Sequence, residues 1–235
     1  MLPVETHRGC PYTCAFCNSP SQDSLYASST RERFFRKKQF DYVRKELIYY
    51  RDILKAEFLY FWADTFFTWK KGEFEEFAEI YKDVGLPFWC QTRIETVNEK
   101  RMKLLEEIGC ARISFGIEHG NEKFRRKWIQ SPVSDDLMIN NFVKSVKEKK
   151  EFMFDAEHFF DGFKNNKEYA ISCIKSAYKN GARWIVLCDS NGGTFPDEVK
   201  KIVTEVTKHV PGKNLGIHAH NDTGNAVANS LAAIL

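Results

Sequence analysis

No apolar run in this 235-residue chain reaches the ~18 residues of a membrane-spanning helix, so no membrane partner is expected. No basic n-region and apolar h-region precede the first cysteine, so no secretory signal is read there. An excess of one charge is lacking too. Thirty-five Lys+Arg against 32 Asp+Glu leave a net charge of +3, too little to imply nucleic acid. An even set of cysteines is also missing: the chain has seven, which argues against a disulfide framework and for a reducing, cytoplasmic setting. What is present is a 43% hydrophobic composition, ample for a core, in a length that suits one barrel-sized domain or two small ones. A small-molecule substrate is the expected partner.

Strand-like and helix-like segments alternate along the chain, which argues for a parallel sheet with crossover helices. Strands are predicted at Pro3–Thr6, Glu57–Trp62, Pro87–Thr92, Ala111–Ile117, Glu151–Ala156, Trp184–Cys188 and Leu215–His218. A helix is predicted at about Phe40–Leu54, where Val43, Leu47, Ile48 and Tyr50 keep a helical period. Others are predicted near Gly72–Asp83, Asn98–Ile108 and Asp135–Lys149. The basic stretch Arg31–Lys38 reads as a solvated loop and helix start that could meet an anionic substrate. Seven units of one handedness imply an α/β fold, a (β/α) TIM-like barrel without its eighth unit. Open edges beside the first and seventh strands would then be free to pair in an oligomer.

Three cysteines stand apart from this pattern. Cys10, Cys14 and Cys17 lie in Arg8-Gly9-Cys10-Pro11-Tyr12-Thr13-Cys14-Ala15-Phe16-Cys17-Asn18. Their C-x3-C-x2-C spacing differs from the paired C-x2-C knuckles of tetrahedral zinc sites. Three thiolates in one Gly/Pro-bent loop can hold three irons of a four-iron four-sulfur cluster and leave the fourth open. The competing readings are buried cysteines or a structural zinc site short of a ligand. Cys90, Cys110, Cys173 and Cys188 sit in apolar contexts and are expected in the core.

With Phe16 in its aromatic slot, the triplet resembles the radical S-adenosylmethionine (SAM) enzymes, in particular the cobalamin-associated subset without its cobalamin domain. Chemistry in (β/α) barrels gathers at the C-terminal strand ends. Here these carry Ala63-Asp64-Thr65-Phe66, Gln91-Thr92-Arg93 and Gly116-Ile117-Glu118-His119-Gly120. The resemblance implies that Asp64, Arg93 and Glu118 contact SAM, that Phe16 packs near its adenine, and that flavodoxin or ferredoxin donates electrons.

From about residue 140 the likeness changes. Phe154-Asp155-Ala156-Glu157-His158-Phe159-Phe160-Asp161-Gly162, Leu187-Cys188-Asp189-Ser190-Asn191-Gly192-Gly193-Thr194 and Gly216-Ile217-His218-Ala219-His220-Asn221-Asp222-Thr223-Gly224 resemble the citramalate, isopropylmalate and homocitrate synthases. Residues i and i+2 of a strand share a face, so His218 and His220 can both point to one side, as a metal pair would. Imidazole suits Zn, while carboxylate company favours Mg or Mn. The resemblance implies that a divalent metal holds a 2-oxo acid there and that Glu157 lines the substrate pocket. Ser190 stands where many of those synthases have threonine, which keeps the hydroxyl.

The synthases' L-R-D-G-x-Q strand, with its metal-binding aspartate, has no counterpart in residues 1–30. The expected organisation is a radical SAM-like half barrel over 1–138 and a synthase-like partial barrel over 139–235, packed as one hybrid. Three functions follow. The first is reductive cleavage of SAM to a 5′-deoxyadenosyl radical. The second is metal-dependent condensation of acetyl-CoA with a 2-oxo acid such as pyruvate. The third is a catalytically silent hybrid.

Overall fold

A computed structural model describes residues 1–146 and 152–235, with the side chains of 142–146 undescribed. The chain divides into two compact units, Met1–Lys150 and Glu151–Leu235. The first contains β1 (Leu2–Val4), β2 (His7–Arg8), β3 (Arg36–Lys37), β4 (Leu59–Phe61), β5 (Phe88–Arg93) and β6 (Cys110–Gly116). The second contains β7 (Met153–Ala156), β8 (Trp184–Asp189) and β9 (Leu215–Ala219). Helices separate the long strands in both, which makes the fold class α/β, with the units of an incomplete (β/α) barrel. The predicted helix end at Lys149 and strand start at Glu151 lie outside the described residues. No helix among the described residues is long and apolar enough to cross a membrane.

In the first unit a parallel sheet runs β1-β4-β5-β6. Alternation gives it two faces. Val4, Leu59, Phe61, Phe88 and Cys90 point into a core where no side chain among them is accessible. Aromatic rings fill that core: Phe61 meets Phe66, Phe77, Tyr81 and Phe88 at centroid distances of 5.0–5.6 Å, three of them edge-on. The opposite face carries Tyr60 stacked on Trp89 at 4.4 Å, with Trp89 Nε1 donating to Ser114. Helix starts follow local chemistry. The Asn98 carboxamide accepts from the Arg101 N–H and so begins Glu99–Glu107.

Two departures from the sequence reading have physical causes. Ser19–Thr30 is a helix, yet only Ser19 in it is buried, so there is no apolar stripe for periodicity to detect. The stretch Arg31–Lys38 does not start a helix. Arg36 and Lys37 pair antiparallel with Arg8 and His7 and extend the chain there.

The second unit is a parallel β7-β8-β9 sheet. Ile185, Leu187 and Ala156 pack into a cluster with Phe160, Ile174, Val199, Val206 and Val210 from its helices. Pro196 at the first turn and the Glu198 carboxylate on the Phe195 N–H open the helix Pro196–Val206.

Candidate functional site

Toward the C-terminal strand ends, the face of the β7-β8-β9 sheet turned away from that apolar cluster carries charged and polar side chains in rungs. Register pairs Asp155 with Val186 and Val186 with Gly216. Two residues further on, Cys188 pairs with His218, and Glu157, following Ala156, comes level with both. Two further on again are Ser190 and His220. Period-two alternation places Asp155, Glu157, Cys188, Ser190, His218 and His220 on one face.

Within the middle rung a Glu157 carboxylate oxygen, Cys188 Sγ and a His218 ring nitrogen all lie within 4.8 Å of one another. No second group of three such ligand atoms among the described residues, the Cys10, Cys14 and Cys17 thiols included, meets that spacing. The His218 and His220 rings are 4.9 Å apart between centroids, so the predicted pair does share a face. Ser190 Oγ donates to Glu157 Oε2 at 2.5 Å and accepts the His158 N–H at 2.8 Å. The sequence-predicted Glu157 and Ser190 are thus brought together.

Crowding and burial raise the pKa of two groups on this face. Burial, followed by Glu157 and Asp155, pushes the Cys188 thiol up to about 12. Burial and then Glu157 raise Asp155, against the opposing pull of His218. Each group makes it costlier for its neighbours to carry negative charge.

Behind the face a buried frame holds the loops. Asp189, 1% exposed, accepts from the Thr194 hydroxyl at 2.9 Å and from the Thr194 N–H at 3.2 Å. Gly192 has φ +61°, and a Cβ there would stand 2.5 Å from Asp222 Oδ2, so glycine is required where the Asp189 loop meets the loop after β9. Asn229 donates to the Thr194 carbonyl at 2.7 Å.

Cys188 is fully buried, as the sequence reading expected. What that reading did not anticipate is its place level with Glu157 and His218. The signal available was its position two residues before Ser190, just past the end of β8, which puts the two on the same side.

In the first unit Cys14 is buried, Cys10 half-buried and Cys17 exposed. Ser19 fastens the loop by its Oγ on the Cys10 N–H, and Arg93 Nη1 donates to Cys14 Sγ at 2.6 Å. Arg93 is also tied to Glu95 at 2.5 Å and lies 4.3 Å over the Tyr12 ring. Burial opposes its charge, but Glu95 and then Cys14 outweigh it and raise its pKa. Phe16 is 55% exposed. Asp64 is exposed, and Glu118 sits at φ +66° against Gly116. Arg93 and the cysteine loop are therefore in contact.

An HMGL-like family model matches residues 69–235, more than two-thirds of the chain. The chain belongs to the HMGL-like family. This HMGL-like chain is 56% identical over 85 residues to (R)-citramalate synthase of Aquifex aeolicus, covering 36% of the chain and 16% of that protein. It is 40% identical over 115 residues to (R)-citramalate synthase of Synechocystis, covering 45% and 21%. The chain thus spans about a fifth or less of the length of these curated relatives. Among solved structures, the HMG-CoA lyase of Bacillus subtilis has a TM-score of 0.53 at 16% identity, over 81% of this chain and 66% of that one. A radical S-adenosylmethionine methyltransferase of Kitasatospora setae has 0.52 at 13%, over 78% and 33%. Likenesses this remote establish fold alone.

These relatives overturn the radical SAM reading of the chain. The family match begins at residue 69, well inside the segment assigned to radical SAM enzymes, and the sequence relatives are (R)-citramalate synthases. The physical reason for the error is that (β/α) barrels share strand-end geometry across unrelated chemistries, so three cysteines in one loop carry less than a whole sheet. The flavodoxin or ferredoxin partner falls with that reading. The family's use of a divalent metal agrees with the metal part of the expectation.

Proposed function

We propose that this chain carries the metal-dependent condensing site of a citramalate synthase-like acyltransferase, joining acetyl-CoA to a 2-oxo acid such as pyruvate. The observation that carries the reading is the 56% identity over 85 residues to (R)-citramalate synthase. The donor set fits a divalent ion, with imidazole and carboxylate groups crowded on one sheet face. His218 and His220 would hold it. A bound divalent ion would supply positive charge at the 2-oxo acid's carbonyl oxygen.

In the reaction a proton leaves the acetyl methyl group and the new carbon–carbon bond forms to the 2-oxo carbon. The former carbonyl oxygen takes up a proton, and water cleaves the thioester to free CoA. The chain's own groups orient the acceptor. The Ser190 hydroxyl, fixed by the His158 N–H, gives its proton to a hydrogen bond with Glu157 and holds that carboxylate at the edge of the metal rung. Asp155, a weaker acid than usual through burial and Glu157, can keep its proton to higher pH and limits the negative charge of the face. The test is release of CoA thiol from acetyl-CoA plus pyruvate in the presence of Mg or Mn. Release lost on chelation and in His218→Ala supports the reading. No release by the wild-type chain with Mg, Mn or Zn overturns it.

A further inference from the structure

We propose that Cys14 and Cys17 form a redox-active dithiol, which closes to a disulfide by exchange with a small disulfide of the glutathione class. The inference concerns the first unit and stands apart from the condensing reaction.

Turn geometry is the first ground. The Cys17 N–H donates to the Cys14 carbonyl at 3.1 Å, so Cys14-Ala15-Phe16-Cys17 is a hydrogen-bonded β-turn. The first and fourth Cα atoms of such a turn lie less than about 7 Å apart. Disulfides span Cα separations of roughly 4.4–6.8 Å, so the pair can close chiefly by side-chain rotation. The loop is pinned on both sides of the turn's first cysteine. The Ala15 N–H donates to the Ile129 carbonyl at 3.1 Å, and Ser19 Oγ accepts the Cys10 N–H at 3.1 Å.

The setting of the two sulfurs is the second ground. Arg93 Nη1 donates to Cys14 Sγ at 2.6 Å. The Ser19 N–H, at the start of the helix Ser19–Thr30, donates to Cys17 Sγ at 3.4 Å. A neighbouring cation and a helix start are settings in which reactive cysteines occur. Cys17 is exposed and open to a disulfide from solution, while Cys14 is 7% exposed and shielded. An accessible attacker thus stands beside a covered partner. Cys10 differs: its Sγ meets Thr65 Oγ1 at 3.6 Å, and burial pushes its thiol up.

The exchange balances in two steps. The Cys17 thiol gives its proton to solvent, its sulfur bonds to one glutathione sulfur, and the first glutathione leaves as thiolate. The Cys14 sulfur, its proton also released, then attacks the Cys17 sulfur and displaces the second glutathione. Each leaving thiolate takes up a proton, so two electrons and two protons pass from the dithiol to glutathione disulfide. Such a pair suits a reducing setting, where disulfides are transient and redox-sensing instead of permanent braces.

The test equilibrates the reduced full-length chain anaerobically with mixtures of reduced and oxidised glutathione, quenches in acid and alkylates the remaining thiols. Mass spectrometry of the tryptic peptide 9–31, which holds Cys10, Cys14 and Cys17, reads the outcome. The expected wild-type product has Cys14 joined to Cys17 and Cys10 alkylated, and it reverts to the dithiol in excess reduced glutathione. With about 0.1 mM reduced glutathione the closed form should exceed the glutathione adduct ~10-fold, given an effective concentration on the order of 1 mM along one short segment. Cys10→Ser should close as the wild type does. Cys14→Ser should stop at a glutathione adduct on Cys17. A wild-type chain that accumulates only glutathione adducts overturns the inference without recourse to any variant. A disulfide that includes Cys10, or loss of closure in Cys10→Ser, overturns it too.

Discussion

The two sheets of this protein are built alike and finished differently. Both are parallel, and both bury one face in helices. In the first unit the other face is aromatic, with Tyr60 on Trp89 and Gln91 and Ser114 as hydrogen-bond partners. In the second it is Asp155, Glu157, Cys188, Ser190, His218 and His220. Rings can stack on one another and satisfy that surface. In the second unit carboxylate, thiol and imidazole donors meet in one rung, where burial and Glu157 raise the Cys188 and Asp155 pKa values and His218 opposes the rise at Asp155. The difference teaches which sheet offers polar donors to solution.

The comparison breaks most visibly at His218. His218→Ala should lower CoA release by about 100-fold or more, in keeping with several kcal/mol from metal-assisted charge stabilisation. Cys14→Ala in the first unit should leave it unchanged. Equal losses from both would mean that the chemistry is not confined to the second sheet. Next in size is the aromatic core. Phe61 is wholly buried among four rings, so Phe61→Ala should cost about 3–5 kcal/mol in urea unfolding followed by near-ultraviolet circular dichroism. A cost below ~1 kcal/mol would show that the ring cluster is loosely packed.

A smaller effect is expected where the second unit's loops meet. Gly192→Ala places a Cβ at φ +61° and against Asp222, and should cost about 1–2 kcal/mol from the left-handed backbone alone. It should also shift the loop that positions Ser190 and His220, read as a raised KM for the 2-oxo acid. An unchanged KM would detach that loop from the site. The smallest effect is on pH. Burial, then Lys37, lowers the His7 pKa below 6.5, against the Thr65 carbonyl that its ring meets at 2.9 Å. The unfolded chain then binds the proton more readily, so stability is level above pH 6.5 and falls as pH drops below it. His7→Gln should remove that fall; a wild-type curve flat down to about pH 5 would contradict it.

Much of the architecture was legible in the residues. Each of the seven predicted strands has an observed counterpart, because apolar runs bounded by turn residues and helical periods are local signals. Asn98 and Pro196 mark helix starts for equally local reasons. Ser19–Thr30 escaped, since a helix with one buried residue has no period to read. The function was misread at the cysteine loop, where a short, dense motif outweighed a longer likeness spread over three strand ends. The H-x-H spacing was legible because its two members lie two positions apart at the end of β9.

What the sequence by itself determined is the α/β order of elements, the apolar faces and the candidate residues on each strand end, because these follow from propensity and period along one stretch of chain. What only the tertiary structure decided is which of those residues meet. Glu157, Cys188 and His218 are separated by 31 and 30 positions, and no local rule aligns them. Strand register does, through backbone hydrogen bonds between segments far apart in the chain. That register sets the buried Cys188 level with Glu157 and His218.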